Sequence, residues 1–244
     1  MHENKQLMNM PQLAILLGTY TQHLANYNRI ISELEFIRNQ KPLLQERYES
    51  NIELTRQLVK KQLLVIQIPE TKHDIICSEG LKAHSLLDKP HGRHTLDIML
   101  GLDNFVFVSY HHTQRGTYGD KILNLELDVL DLPGTLFTME DIVIEMQANP
   151  IYHKELKFKT GEWHERFSES IKTTIENWLL QIMPGNKFLE FTTQFIATYY
   201  VKPETYFSSR GRPDIAIRIP NDADWGSPEI KIYGSIDKKF IKKS

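Results

Sequence analysis

Cysteine is almost absent from this sequence: Cys77 is the single one among 244 residues, so no disulfide can form within the chain. A chain without disulfides fits a reducing compartment. Cys77 directly follows Ile75 and Ile76, and a free cysteine in an apolar run usually behaves as a small hydrophobic residue. We therefore expect Cys77 to be packed against other residues rather than to act as a nucleophile.

Long apolar runs and an excess of basic charge are also missing. No stretch reaches the roughly 18 apolar residues that cross a bilayer, and residues 1–6 lack the apolar centre of a signal peptide. The 29 Lys and Arg residues are balanced by 31 Asp and Glu residues, and the formal net charge of −2 gives no general attraction to nucleic acid or anionic lipid. We expect a soluble protein without a membrane or nucleic-acid partner, either cytoplasmic or secreted without a cleaved N-terminal signal.

Several motifs of catalysis and metal binding are missing as well. The chain has no HExxH, no GxxxxGK[ST] loop and no GxSxG elbow, which argues against a zinc protease, a P-loop enzyme and an α/β-hydrolase. His91 and His94 have a spacing that can place two imidazoles on one helical face for zinc. No cysteine accompanies them, so we expect no metal site.

The first 60 residues carry a helical pattern. Apolar residues recur there at spacings of three and four, which places them on one face of a helix; they are Tyr27, Ile30, Ile31, Leu34 and Ile37. Pro42 interrupts the pattern, and a second helix follows with Leu44, Tyr48 and Ile52 four residues apart. We predict an N-terminal helical region, residues 1–60, that braces the rest of the chain or docks to a target or chaperone.

From residue 61 the pattern changes to that of short strands. Six apolar runs bounded by Gly, Pro, Asp or Asn predict strands; they are Leu63–Ile68, Asn104–Tyr110, Ile122–Leu130, Asp141–Met146, Asp214–Ile219 and Glu229–Tyr233. A short helix is expected from a capping box at Thr71 to Gly80. Aromatic and apolar residues at helical spacing predict a helical insert over about 162–202, with a stop at Pro184 and Gly185 between its two helices and an end at Pro203. The class is therefore α+β, with segregated helices and a mostly antiparallel sheet.

Three segments of this region carry motifs in a fixed order. An apolar run at residues 64–70 is followed by the phrase Glu-Gly-Leu-Lys at 79–82, and a second apolar run covers residues 103–110. In residues 228–241 a glutamate precedes alternating apolar residues and a Gly-x-Ile turn. In this order, the segments resemble the opening strand with its short helix, the second motif strand and the closing strand of the ADP-ribosyltransferase family, most closely of its toxin and effector members. The connector at 132–138 is also similar to the family's.

The resemblance implies a split β-sheet core over residues 61–244 and NAD as co-substrate, without a metal. The activity implied is transfer of ADP-ribose from NAD to a side chain of a protein target, which for a toxin or effector is a host protein. Glu229 would be the catalytic carboxylate, because it can hydrogen-bond the ribose 2′-hydroxyl and stabilise an oxocarbenium-like transition state. Tyr110 would stack on the positively charged nicotinamide ring.

The remaining site residues follow from their places in the motifs. On the motif strands, Gln67 would hold the ribose or the amide, and Ser109 would lie beneath the nicotinamide. Arg93 and His94 precede a short helix whose N-terminus could meet the diphosphate. Two further residues, His111 and Tyr118, are predicted to contact the cofactor. The acceptor side is predicted to include His112, Gln114 and Trp225.

The sequence departs from the family pattern at two positions. Family members usually carry His or Arg where this chain has Gln67, and the arginine-specific branch has a Glu-x-Glu pair where this chain has Glu229 and Lys231. Two other functions therefore stay open. One is a non-catalytic interaction protein that retains the transferase fold. The other is an RNA-directed enzyme, either a ribonuclease that uses His111 or His112 or a phosphate-removing relative of the transferases.

Overall fold

The computed structural model describes residues 17–87, 97, 100–110, 121–139, 169–208 and 228–242. These residues form α-helices that pack on both faces of a sheet in which every described strand pair is antiparallel. The predicted α+β class with a mostly antiparallel sheet is confirmed. In chain order, the α-helices whose bounds lie in the described residues are α1 (Tyr20–Gln40), α2 (Pro42–Lys60), α3 (His73–Glu79), α4 (Glu169–Leu179), α5 (Phe188–Tyr199) and α6 (Pro203–Ser208).

The strands of the described residues form two sheets. They are β1 (Leu64–Ile68), β2 (Leu81–Lys82), β3 (Phe105–Tyr110), β4 (Lys121–Leu125), β5 (Leu136–Thr138), β6 (Met183–Pro184), β7 (Glu229–Tyr233), β8 (Ser235–Ile236) and β9 (Ile241–Lys242). The seven-stranded sheet has the order β6-β5-β7-β3-β1-β4-β9, and β2 pairs with β8 separately. Because most neighbours in the large sheet are distant in sequence, its assembly depends on long-range contacts.

The N-terminal helices form as their apolar spacing predicts. Helix α1 begins at a capping box, in which Thr19 Oγ1 accepts from the Gln22 backbone N–H and the Gln22 side chain accepts from the Thr19 backbone N–H. Lys41 separates α1 from α2, and Pro42 occupies the first turn of α2, where its missing N–H costs nothing. Tyr27 and Leu34 are buried on the face that the spacing defines.

The predicted strands compare with the structure in three ways. The runs at Leu63–Ile68, Asn104–Tyr110 and Glu229–Tyr233 form β1, β3 and β7. The run Ile122–Leu130 is divided, since β4 ends at Leu125 and Leu127–Asp131 is a 3-10 helix that still buries Val129 and Leu130. A continuous apolar run therefore belongs to two elements that face the same core. The runs at 141–146 and 214–219 lie outside the described residues.

The short helix after β1 differs from the prediction at its start. A 3-10 turn covers Glu70–Lys72, no side chain caps α3, and the predicted box at Thr71 does not form. Gly80 ends the helix with φ 94° and ψ −178°, a positive φ but not the left-handed helical conformation. A Cβ at this position would lie 2.4 Å from the backbone oxygen of Ile236. Glycine is required because β8 approaches the backbone so closely.

The predicted helical insert is confirmed in its described part by α4 and α5. Two details differ. Met183–Pro184 is not a simple stop but a short strand, β6, that pairs with Leu136 and Phe137 of β5. Pro203 begins the next helix, α6, instead of only ending the previous one.

The two faces of the large sheet have separate cores. One face packs against α1, α2 and α5, and its buried side chains include Tyr27, Leu44 and Val59 of the N-terminal helices together with Val108 and Ile230 of the strands. The other face packs against α4, where the largest buried side chain is Trp178. The N-terminal helices thus share one core with the sheet.

Candidate functional site

The three strands that resemble the transferase motifs lie side by side in the sheet, in the order β7-β3-β1. Ser109 near the end of β3 pairs with Val65 on one side and with Glu229 on the other. Thr138 at the end of β5 pairs with Glu229 from the opposite side. Because directly opposed residues share a face of the sheet, two of the predicted site residues, Ser109 and Glu229, are neighbours on one face.

This face is the one covered by α4. Alternation along β7 directs Ile230 and Ile232 into the core beneath α5, so Glu229 and Lys231 project to the other face. Phe105 and Trp178 belong to the buried cluster on that side. Glu229 lies at the margin of this cluster, with 21% of its side chain exposed, and its carboxylate is therefore within reach of solvent.

Lys231 lies two residues after Glu229 and forms an ion pair with it. Its side chain is 1% exposed, and its ammonium forms an ion pair with Oε2 of Glu229. The ammonium also donates a hydrogen bond to Thr138 Oγ1 at 3.1 Å. Glu229, Lys231 and Thr138 are thus connected through one nitrogen atom.

Aromatic rings enclose the same ammonium. Lys231 Nζ lies 5.7 Å from the ring centroid of Phe107 and 5.5 Å from that of Trp178. A cation near the face of an aromatic ring is attracted by the quadrupole of the ring, and more strongly where water is excluded. Burial of a charge is costly unless it is paired and hydrogen-bonded, so the Glu229 carboxylate is what makes this position tolerable for a lysine.

Gln67 shares the face of this site but not its centre. It lies two residues beyond Val65 on β1, so alternation places it on the side of Ser109, and its side chain is half-buried. Its described cross-strand partner is Ile122 of β4. Gln67 is therefore displaced along the strand from the row that joins Val65, Ser109 and Glu229.

Tyr110 disagrees with its predicted role. Its side chain is fully buried, its hydroxyl donates to the Val59 carbonyl at 2.8 Å, and burial raises the pKa of the phenol. Its ring packs edge-to-face against Phe188 at 4.9 Å between centroids and Phe207 at 6.4 Å. Alternation in β3 places Tyr110 on the face opposite Ser109, in the core, where it cannot stack on a nicotinamide ring.

The other predicted site residues lie outside the described residues. They are Arg93, His94, His111, His112, Gln114, Tyr118 and Trp225.

Cys77 also differs from its prediction, because it is exposed on α3 rather than packed. The helix lies on the surface, where Ile76 packs against the core but Ile75 is exposed beside Cys77. The Cys77 sulfur lies 3.7 Å from His73 Nε2.

Sequence reasoning missed Lys231, Thr138 and Phe107 as parts of the site. One signal was present: Lys231 stands between Ile230 and Ile232 in a strand whose neighbours are buried, and it shares the face of Glu229. Its enclosure by Trp178 carried no sequence signal, since the helical spacing around Trp178 indicates only a core residue.

Metal-binding clusters and membrane-spanning helices are both missing from the described residues. No group of three or more His, Cys, Asp and Glu side chains is arranged there to hold a metal ion. No helix in the same ranges has both the length and the apolar character to cross a membrane. The chain matches no protein-family model, no curated protein and no solved structure.

Proposed function

We propose that this protein transfers ADP-ribose from NAD to a side chain of a protein target. The observation that carries the proposal is the register of the sheet, in which Ser109 on the second resembling strand lies opposite Glu229 on the closing one. The third resembling strand, β1, is adjacent and pairs with Ser109 through Val65. Ser109 and Glu229 are distant in sequence and lie side by side in the sheet, which supports the proposal of a common site.

The chemistry assigned to the site is cleavage of the bond between nicotinamide nitrogen and ribose C1′. Nicotinamide leaves with the electron pair, the ribose passes through a transition state of oxocarbenium character, and a side chain of the target attacks C1′ and loses its proton. The Glu229 carboxylate accepts a hydrogen bond from the ribose 2′-hydroxyl and stabilises the positive charge. Its 21% exposed side chain supports access from solvent.

Within the same proposal Ser109 and Gln67 line the NAD side of the site. The predicted cofactor contacts of Arg93, His94, His111 and Tyr118, and the acceptor contacts of His112, Gln114 and Trp225, belong to it as well. The reaction requires NAD as a co-substrate and no metal ion. The proposed setting is a bacterial toxin or secreted effector that acts on a host protein.

A second candidate is a non-catalytic interaction protein built on the same arrangement of strands. Two observations favour it: the Glu229 carboxylate is engaged by Lys231, and the ring of Tyr110 is in the core. Titration of the protein with NAD in a calorimeter separates the two candidates. Absence of binding at millimolar NAD would support the interaction protein.

The test of the transferase is incubation with labelled NAD and a cell lysate, followed by mass spectrometry of the modified proteins. We expect wild-type protein to label targets and Glu229→Gln to lower the rate about 100-fold, because the charge that stabilises the transition state is lost. Since Glu229→Gln also leaves the buried Lys231 uncompensated, the double variant Glu229→Gln with Lys231→Met is measured beside it. Undiminished labelling by either folded variant would contradict the assignment of Glu229.

A further inference from the structure

The Lys231 ammonium has an unusual position for a lysine. Its side chain is 1% exposed, it lies two residues after Glu229 on the same face of β7, and the rings of Phe107 and Trp178 are within 6 Å of its nitrogen. Lysine is almost never fully buried unless it is paired. The pairing partner here is the carboxylate that the proposed function makes catalytic.

Stability alone does not explain why a lysine, and not an apolar residue, occupies position 231. Replacement of a buried ion pair by well-packed apolar residues is often neutral or stabilising, because removing two charges from water costs more than their attraction returns. The surroundings of Lys231 suit such a residue, since Phe107 and Trp178 are apolar and Leu136 is its cross-strand partner on β5. A methionine of similar length would fill the space without a charge.

The contacts of the Lys231 ammonium instead act on the position and the charge of the Glu229 carboxylate. Thr138 accepts a hydrogen bond from Lys231 Nζ at 3.1 Å and is also the cross-strand partner of Glu229. The two oxygen-bearing side chains that Nζ contacts, those of Thr138 and Glu229, are therefore direct neighbours across β5 and β7. The two rings and Thr138 hold Nζ in place, and Nζ then holds Oε2 of Glu229. An ammonium in contact with a carboxylic acid favours its ionised form.

We propose that Lys231 is a positioning residue, whose buried ammonium keeps the Glu229 carboxylate ionised and in one orientation at the edge of the NAD site. This inference rests on the proposed function.

The test compares Lys231→Met, Lys231→Arg and a matched control in the full chain. The control is Lys121→Met, which removes a lysine of β4 from its 3.0 Å ion pair with Glu70 where both side chains are exposed. Nicotinamide release from NAD is measured as kcat and KM over a range of pH, with thermal unfolding of each variant. Should Lys231→Met fail to fold, Lys231→Gln, which keeps a hydrogen-bond donor without the charge, is measured in its place.

We expect Lys231→Met to lower kcat about 100-fold with little change in KM, because a misplaced catalytic group slows the reaction without removing NAD contacts. The acid limb of its pH–rate profile should move to higher pH, Lys231→Arg should recover part of kcat, and Lys121→Met should match wild type. A purely structural role would not move the pH profile. A folded Lys231→Met protein with wild-type kcat and pH profile would overturn the proposal.

A second readout separates failure of this inference from failure of the proposed function. If wild-type protein releases no nicotinamide from NAD, either alone or with the cell lysate that supplies protein targets, the proposed function is wrong. The side-chain carboxyl carbon of Glu229 is then followed by NMR in glutamate labelled with carbon-13, assigned with Glu229→Gln. Protonation of Glu229 at higher pH in Lys231→Met than in wild type supports control of the carboxylate by Lys231. An unchanged titration overturns it.

Discussion

Glu229 and Lys231 carry opposite charges on one face of β7, and the burial of Lys231 makes each depend on the other. Lys231 is 1% exposed and Glu229 21% exposed, so solvent screens the pair only at its carboxylate end. Removal of one partner of a buried pair is far more costly than removal of both, because the remaining charge has no counter-ion. The pair therefore links the proposed chemistry to the stability of the fold.

For this pair we expect Glu229→Ala to lower the free energy of unfolding by about 3 kcal/mol. The double variant Glu229→Ala with Lys231→Met should recover most of that loss. Urea unfolding followed by circular dichroism measures both. Glu53→Ala is the control, since Glu53 pairs with Arg56 where both side chains are exposed and should change stability by less than about 1 kcal/mol. A Glu229→Ala variant as stable as this control would show that the Lys231 charge is not buried as described.

The burial of the His23 imidazole should make the stability of the protein depend on pH. It is buried on α1, its Nε2 donates to the Leu17 carbonyl at 2.6 Å, and burial lowers the pKa of the imidazole below 6.5. The unfolded chain therefore binds a proton at a higher pH than the folded protein does. The stability due to neutral His23 is complete above pH 6.5 and is lost as the pH falls from 6.5 through the lower pKa of the folded state.

The measurement is the free energy of unfolding of wild type and His23→Gln between pH 5 and 8, a range set about the ordinary pKa of 6.5. We expect the difference between the two proteins to be constant at about pH 7 and above and to shrink below pH 6.5. Parallel curves over the whole range would contradict the assignment to His23.

At the scale of single elements, the alternation of β3 and β7 decides which side chains meet. Val106, Val108 and Tyr110 face the core beneath α5, and Ser109 faces the site beneath α4. The period of two can be read from the sequence, and it places Tyr110 on the face opposite Ser109. The resemblance implied both residues for the site, but β3 presents only Ser109 on the face of Glu229.

Gly80, at the end of α3, requires a backbone that only glycine adopts easily. Its φ is 94°, and a Cβ added there would lie 2.4 Å from the Ile236 oxygen, which leaves no space for a side chain. We expect Gly80→Ala to lower the free energy of unfolding by more than about 1 kcal/mol. Thermal unfolding measures the change, and Ser78→Ala on the exposed face of α3 should stay within about 0.5 kcal/mol of wild type. Equal stability of the two variants would mean that α3 and β8 move apart readily.

At the scale of the whole molecule, the N-terminal helices are part of the main core. Leu44 and Val59 are buried with the strands, and the Val59 carbonyl accepts the Tyr110 hydroxyl. We expect a fragment of residues 61–244 to lose cooperative thermal unfolding, because removal of α1 and α2 exposes the face of α5 that they cover. Leu44→Ala in the full chain should cost about 2–5 kcal/mol. A fragment that melts at the wild-type temperature would show that the helices form a separate unit.

Local sequence patterns are sufficient to predict the α+β class, the two N-terminal helices, α4 and α5, and the strands β1, β3 and β7. These follow from periodicity, capping and turn residues, which act over a few positions of the chain. The sequence also singled out Glu229 and Ser109, which the sheet then brought together as cross-strand partners.

The surroundings of Glu229 and Ser109 are set by long-range packing. The order β7-β3-β1, the burial of Tyr110 and the exposure of Cys77 depend on which surfaces α3, α4 and α5 cover. The enclosure of Lys231 by Thr138 and Trp178 joins residues from three elements distant in sequence. Local patterns specify the face on which a side chain lies, but its neighbours and its access to water are set by long-range packing, which no local pattern contains.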